Sequence, residues 1–150
     1  MFKSTGKIGI CLLAGLLSIN VYADSEKESG KMIVQITNFT SKKCTLGEFQ
    51  VVHGTAKSSP AGSLLPDQAT RFAIQQSPLA GPDAFIRYNC GDAGDGSIRF
   101  EVQQDLVLLM GHEPTLTVHD RARLHADYLS TSSSTRTNTA GRLDINILPG

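Results

Sequence analysis

A chain of 150 residues carrying 14 basic and 14 acidic side chains has room for one core, and its charge balance argues against a nucleic-acid partner, which needs a basic surface to displace counterions. The charge is unevenly placed. Lys3 and Lys7 precede an uncharged run containing Ile8, Ile10, Cys11, Leu12, Leu13, Leu16, Leu17 and Ile19, the pattern of a secretory signal. Val21-Tyr22-Ala23 then offers a cleavage site ahead of Asp24, so residues 1–23 are expected to be removed and the protein to be secreted or periplasmic. An apolar run of about a dozen residues is short against the roughly twenty that span a bilayer. Cys11 lies inside that run and not at a lipoprotein cleavage site, and nothing else in the chain could span a membrane. Without Lys3 and Lys7 the 14 bases become 12 against 14 acids. That slightly acidic balance also argues against a purely electrostatic membrane binder.

Residues 24–30 are polar and are expected to form a disordered leader, with a single domain over 31–150. Met32, Val34 and Ile36 alternate with Ile33, Gln35 and Thr37, which predicts a strand with one apolar face. Asn38 to Lys43 is a polar turn that includes the formal glycosylation sequon Asn38-Phe39-Thr40. Cys44 and Leu46 share a face, but Phe49 and Val51 have the opposite parity, so a β-bulge is predicted at Gly47-Glu48. His53 to Gly62 reads as a loop. Leu64-Leu65-Pro66-Asp67 leads into a strand in which Phe72 and Ile74 oppose Arg71, Ala73 and Gln75, and a turn follows over Ser77 to Pro82.

Ala84, Ile86, Tyr88 and Cys90 form the inner face of a hairpin whose turn is the glycine-rich 91–96. A register setting Cys90 opposite Ile98 would place Tyr88 opposite Phe100 and Arg87 opposite Glu101, satisfying core and charge together. Leu106 to Met110 reads as a short buried strand, and Leu116 and Val118 as another. Ala122, Leu124, Ala126 and Tyr128 alternate with Arg121, Arg123, His125 and Asp127. Asp120 could alternatively cap a helical turn there. Ser130 to Gly141 is a Ser/Thr-rich loop, and Leu143, Ile145 and Ile147 form the last strand. Eight or nine short strands joined by Gly, Pro and Ser turns predict an all-β fold, an antiparallel β-sandwich. With Cys11 lost alongside the signal, Cys44 and Cys90 remain as an even pair in an oxidising compartment, and a disulfide is expected in place of two buried thiols. Leu46, Phe72, Ile86, Tyr88, Ile98 and Phe100 are expected to share its core.

No catalytic motif, cofactor motif or metal site is assigned. His112-Glu113 begins a zinc-protease pattern, but Leu116 stands where the second His would be and Pro114 interrupts the helix. Asp92 and Asp95 could hold Ca²⁺, against the plainer reading of a glycine-rich turn. His112, His119 and His125, beside Glu113, Asp120 and Asp127, have neighbours that suit a transition metal but lack a fixed short spacing. Arg121, Arg123 and His125 could meet a carboxylate or lipid phosphate, or could simply form a solvated face.

Val34-Gln35-Ile36-Thr37-Asn38, then Leu65-Pro66-Asp67 before the strand carrying Phe72, then a glycine-rich hairpin ahead of Ile98-Arg99-Phe100, resembles the aegerolysins. The resemblance implies a small, slightly acidic β-sandwich that recognises membrane lipids, in some members with a pore-forming partner. The chain departs from that family in having no Trp and few aromatics, and no lipid-contact residue can be carried over to a position here. The leading expectation is a secreted, non-enzymatic binding module that recognises an extracellular or cell-surface ligand (lipid headgroup, glycan or protein) through the loops His53 to Gly62 and Ser130 to Gly141. The alternative is a secreted hydrolase with a site around His112, His119 and Asp120. A third reading is a structural or inhibitory protein of the cell envelope.

Overall fold

Residues that are apolar at every second position can all be buried only if one sheet face packs against another, and the chain meets this condition with two five-stranded sheets. The structure, a computed structural model, describes residues 30–106, 113–134 and 139–150. The expected signal at 1–23, residues 24–29 of the leader, 107–110 of the apolar run and His112 lie outside them. The first sheet is ordered β3-β5-β1-β10-β9, built from β1 (Lys31–Asn38), β3 (Thr55–Ala56), β5 (Ala69–Gln75), β9 (Leu124–Ser134) and β10 (Thr139–Pro149). The second is ordered β4-β2-β6-β7-β8, built from β2 (Cys44–His53), β4 (Ser63–Leu64), β6 (Asp83–Cys90), β7 (Ser97–Gln103) and β8 (Thr115–Ala122). The fold is an all-β sandwich. Its neighbouring strands are antiparallel except β1 and β10, which pair in parallel from Lys31 opposite Ala140 to Asn38 opposite Ile147. The first and last strands are therefore side by side.

The core follows the period-two pattern. Met32, Val34, Ile36, Phe72, Ile74, Leu143, Ile145 and Ile147 from the first sheet meet Cys44, Ile86, Tyr88, Ile98, Phe100 and Val102 from the second, all buried. Leu46 packs against this cluster while half-buried. Each fully buried aliphatic or aromatic side chain contributes roughly 1.5–3 kcal/mol. The β2–β6 ladder slips between Leu46 and Glu48, where the bulge was expected. The slip keeps Phe49 on the inner side, and its ring meets Phe72 of the other sheet edge to face at 5.4 Å. Tyr88 is buried, which pushes its phenol up to about 12, and its hydroxyl donates to the Ala61 carbonyl at 2.7 Å. Cys44 and Cys90 lie directly opposite one another on β2 and β6 and form a disulfide, with Cα atoms 3.9 Å apart.

Four expectations are corrected. The β6–β7 hairpin is two residues tighter than predicted: Tyr88 faces Ile98, Ile86 faces Phe100, and Arg87 faces Arg99 in place of Glu101. Its turn closes with Cys90 N–H donating to Gly96 O, with Gly91 and Gly94 at φ of 82° and 87°. A two-residue slip preserves the face of every side chain, so the core assignment survives it. Secondly, the run from Arg121 to Tyr128 is not one strand. Arg123 turns a corner at φ 55°, and the chain passes there from β8 in the second sheet to β9 in the first.

Thirdly, of the expected loop Ser130 to Gly141, the described residues 130–134 and 139–141 are strand, since β9 extends to Ser134 and pairs with β10 from Thr139 onward, while 135–138 lie outside the described residues. Its polar side chains suit an edge strand as well as a loop. Fourthly, His53 to Gly62 is not an end loop. It runs along the outer edge of β5, with β3 paired to Gln75 and Ile74, Lys57 N–H donating to Ala73 O, and Ala61 N–H donating to Thr70 Oγ1. That segment covers backbone groups that an edge strand would otherwise expose.

Candidate binding site

The strand directions bring five connections to one end, here called the upper end: the β1–β2 loop, the segment after β4, the β6–β7 turn, the β8–β9 corner and the close of β10. Asn38 ties two of these together, the β1–β2 loop and the segment after β4. It is fully buried; its Nδ2 donates to the carbonyls of Lys42 (2.7 Å) and Leu64 (3.1 Å), and its Oδ1 accepts from Thr40 N–H and Thr40 Oγ1. Its backbone N–H donates to Gln68 O and its carbonyl accepts from Asp67 N–H. A buried amide so satisfied specifies the loop conformation. The same burial closes the sequon, because the folded chain offers no free Asn38 nitrogen for a glycan.

Two large apolar side chains are left in solvent by this arrangement: Phe39 is 48% exposed and Leu65 56%. Near them the loops enclose an open cavity of about 170 Å³, lined by Thr40, Ser41, Lys42, Cys90, Asp95 and Arg123 among others. Lys42 Nζ donates to Asp95 Oδ2 at 2.9 Å, and the same oxygen accepts from Asp92 N–H. Hydrogen bonding to Lys42 is the main cause holding the Asp95 carboxyl below the usual aspartate range, with the Asp92 N–H and the charges of Lys42 and Arg123 assisting. Asp95 is thus committed to closing its turn. Among the described residues no group of three or more metal-ligating side chains is assembled; Asp92 and Asp95 sit in the glycine-rich β6–β7 turn, where Asp95 N–H donates to Asp92 O.

Arg121, Arg123 and His125 surround a second, wider cavity of about 570 Å³ on the adjoining corner, with Leu124, Ala126 and Gly150. All three are exposed. They were expected on one strand, yet Arg121 belongs to β8 and His125 to β9; the left-handed turn at Arg123 is what collects them.

His119 and Asp120 lie elsewhere, on the outer face of the second sheet. His119 Nε2 is 2.6 Å from Glu101 Oε2, and Arg87 Nη1 donates to Asp120 Oδ2 at 3.4 Å. Glu48 accepts from Arg99 Nε (2.9 Å) and Nη2 (3.2 Å), and Arg99 stacks over the Phe85 ring with its Cζ 4.2 Å from the centroid. His119 and Asp120 are exposed and each faces a different partner, while His112 lies outside the described residues. The convergence that a hydrolytic site around these residues requires is not formed between His119 and Asp120.

No family model matches the chain, and no curated protein matches it in sequence. Solved structures do resemble it in fold. The lipid binding protein Nakanori superposes with a TM-score of 0.58 at 12% identity, over 80% of this chain and 71% of that one. IP-1A from Alcaligenes faecalis gives a TM-score of 0.54 at 13% identity, over 82% of this chain and 93% of that one. The RahU protein in complex with a Tris molecule gives 0.53 at 9% identity, over 80% and 95%. The sandwich architecture is shared with these proteins.

Several upper-end residues escape sequence reasoning. Phe39 was visible as an apolar residue inside a polar turn, and Leu65 as one out of phase with buried Leu64. Lys42 carried no signal, since only the fold sets it against a turn 53 positions away.

Proposed function

We propose that this protein is a secreted, non-enzymatic binding module that recognises a lipid headgroup at a membrane surface through its upper end. One observation carries the reading: exposed Phe39 and Leu65 stand at the same end of the sandwich as a cavity lined by Lys42, Thr40 and Arg123 alongside Leu124 and Pro149. A membrane interface asks for that combination, with apolar side chains entering the acyl boundary while polar donors hold the headgroup. The fold shared with a lipid binding protein and the aegerolysin-like order of sequence motifs both support it. Secretion is supported by the signal pattern over 1–23 and by the Cys44–Cys90 disulfide, which persists in oxidising compartments.

Vesicle co-sedimentation tests the proposal, using the protein from residue 24 onward against phosphatidylcholine, phosphatidylethanolamine, sphingomyelin and anionic lipid mixtures, with a glycan array alongside. Wild type should pellet with at least one composition. The double variant Phe39→Ser/Leu65→Ser should bind that composition at least about tenfold more weakly, from the loss of two apolar side chains that would leave water on entering the membrane interface. Wild type remaining in the supernatant with every vesicle would sink the lipid reading, and selective binding on the array would replace it with a glycan.

A further inference from the structure

Resting on the headgroup reading above, we infer that the β8–β9 corner is a phosphate site, so that the ligand's headgroup is a net-negative phosphate ester and not a zwitterion. The whole chain is neutral, with 14 basic and 14 acidic residues, yet three cationic or cation-capable side chains, Arg121, Arg123 and His125, border one open cavity. Among the acids of the neighbouring elements, Asp120 pairs with Arg87, Asp127 accepts from Asn146 Nδ2 at 2.8 Å, and Asp95 Oδ2 accepts from Lys42 Nζ and Asp92 N–H, with the charge of Arg123 a lesser influence on that carboxyl. No ion pair joins Arg121, Arg123 or His125 to a carboxylate among the described residues.

Backbone geometry adds to the case. Arg123 adopts φ 55°, a left-handed region that strains a residue with a Cβ and that Gly or Asn enters more easily. Arg at this corner accepts that strain to hold a guanidinium between the two cavities, since Arg123 lines both. Two guanidinium groups present paired N–H donors matched to pairs of phosphate oxygens, and His125 supplies a further ring nitrogen. Because the chain from residue 24 onward carries 12 bases against 14 acids, attraction to an anionic surface needs a local cationic face such as this corner, turned toward that surface.

Arg121→Gln/Arg123→Asn tests the site, because both side chains are exposed and Asn tolerates the left-handed corner. Binding is measured to vesicles of phosphatidylcholine alone and of phosphatidylcholine with phosphatidic acid; inorganic phosphate is titrated separately while the arginine Nε resonances are followed. Wild type should favour the anionic vesicles, with affinity falling steeply as salt is raised, and the double variant should lose roughly 30-fold. Equal binding to both vesicles, unchanged in the arginine variant but lost in Phe39→Ser/Leu65→Ser, would overturn the phosphate site and leave the headgroup reading standing. No vesicle binding, together with a phosphate-dependent shift of the Arg121 and Arg123 resonances, would keep the anion site with a soluble phosphate as its source and overturn the membrane reading. Neither vesicle binding nor a phosphate shift overturns both.

Discussion

Asp83 shows how one side chain makes the fold sensitive to pH. It opens β6 opposite Gln103 and His53, is only 7% exposed, and has a carboxylate oxygen, Oδ1, with no hydrogen-bond partner. Burial is the main cause pushing its carboxyl above the usual aspartate range; the charge of Glu101 and a hydrogen bond to it add, and His53 opposes. A carboxyl raised in the folded state supports folding fully below its unfolded value and loses that support as pH rises through its folded one. At neutral pH Asp83 therefore weakens the domain. Asp83→Asn removes the buried charge and keeps the shape, so thermal melts should show it more stable than wild type by a few degrees at pH 8, with the gap closing near pH 4. A variant less stable than wild type at pH 8 would mean that the ionised carboxylate is stabilised in place.

Among the elements, the β2–β6–β7 ladder carries the least obvious compensation. Like charges directly opposite each other destabilise a strand pair, and the register sets Arg87 opposite Arg99. The bulge at Gly47-Glu48 brings Glu48 to both: it accepts two hydrogen bonds from Arg99 and lies 3.8 Å from Arg87 Nε. Hydrogen bonding to Arg99 is the first cause of its lowered carboxyl pKa. Glu48→Gln should cost about 1 kcal/mol in urea unfolding at low ionic strength. The loss should shrink at high salt, which screens the arginine pair; a loss independent of salt would assign it to packing. Pairing Arg87 with Glu101 looked right from the hairpin alone because Glu48 belongs to a strand some forty positions earlier, and the two registers bury the same residues.

At the scale of the molecule, sheet closure is non-local. β1 pairs with β10 across the whole domain, and Cys44–Cys90 staples β2 to β6 across a sequence separation of 46. Closing a loop of that length in the unfolded chain is worth about 4 kcal/mol, a large share of the stability of a domain this size. Cys44→Ala/Cys90→Ala should lower unfolding free energy by about that amount, with the far-UV spectrum of the folded fraction unchanged, because the surrounding core still defines the two faces. A loss under about 1 kcal/mol would mean that the unfolded chain is already compact there.

The sequence alone determined which residues face inward, that two sheets pack through those faces, that Cys44 meets Cys90, and where β2 changes phase, because a period of two is a local property that burial enforces. The signal pattern over 1–23 is an expectation of the same local kind. Tertiary structure decided what local periodicity leaves degenerate. Registers that differ by two residues bury the same side chains, so turn geometry chose between them. Polar Ser/Thr segments suit both loops and edge strands, so pairing made Ser130–Ser134 a strand and laid His53–Gly62 along β5. Strand direction then decided the candidate site, bringing Phe39, Lys42, Leu65 and Arg123 to one end. Residues so far apart in the chain are joined only by the order of strands in space, which no stretch of sequence encodes by itself.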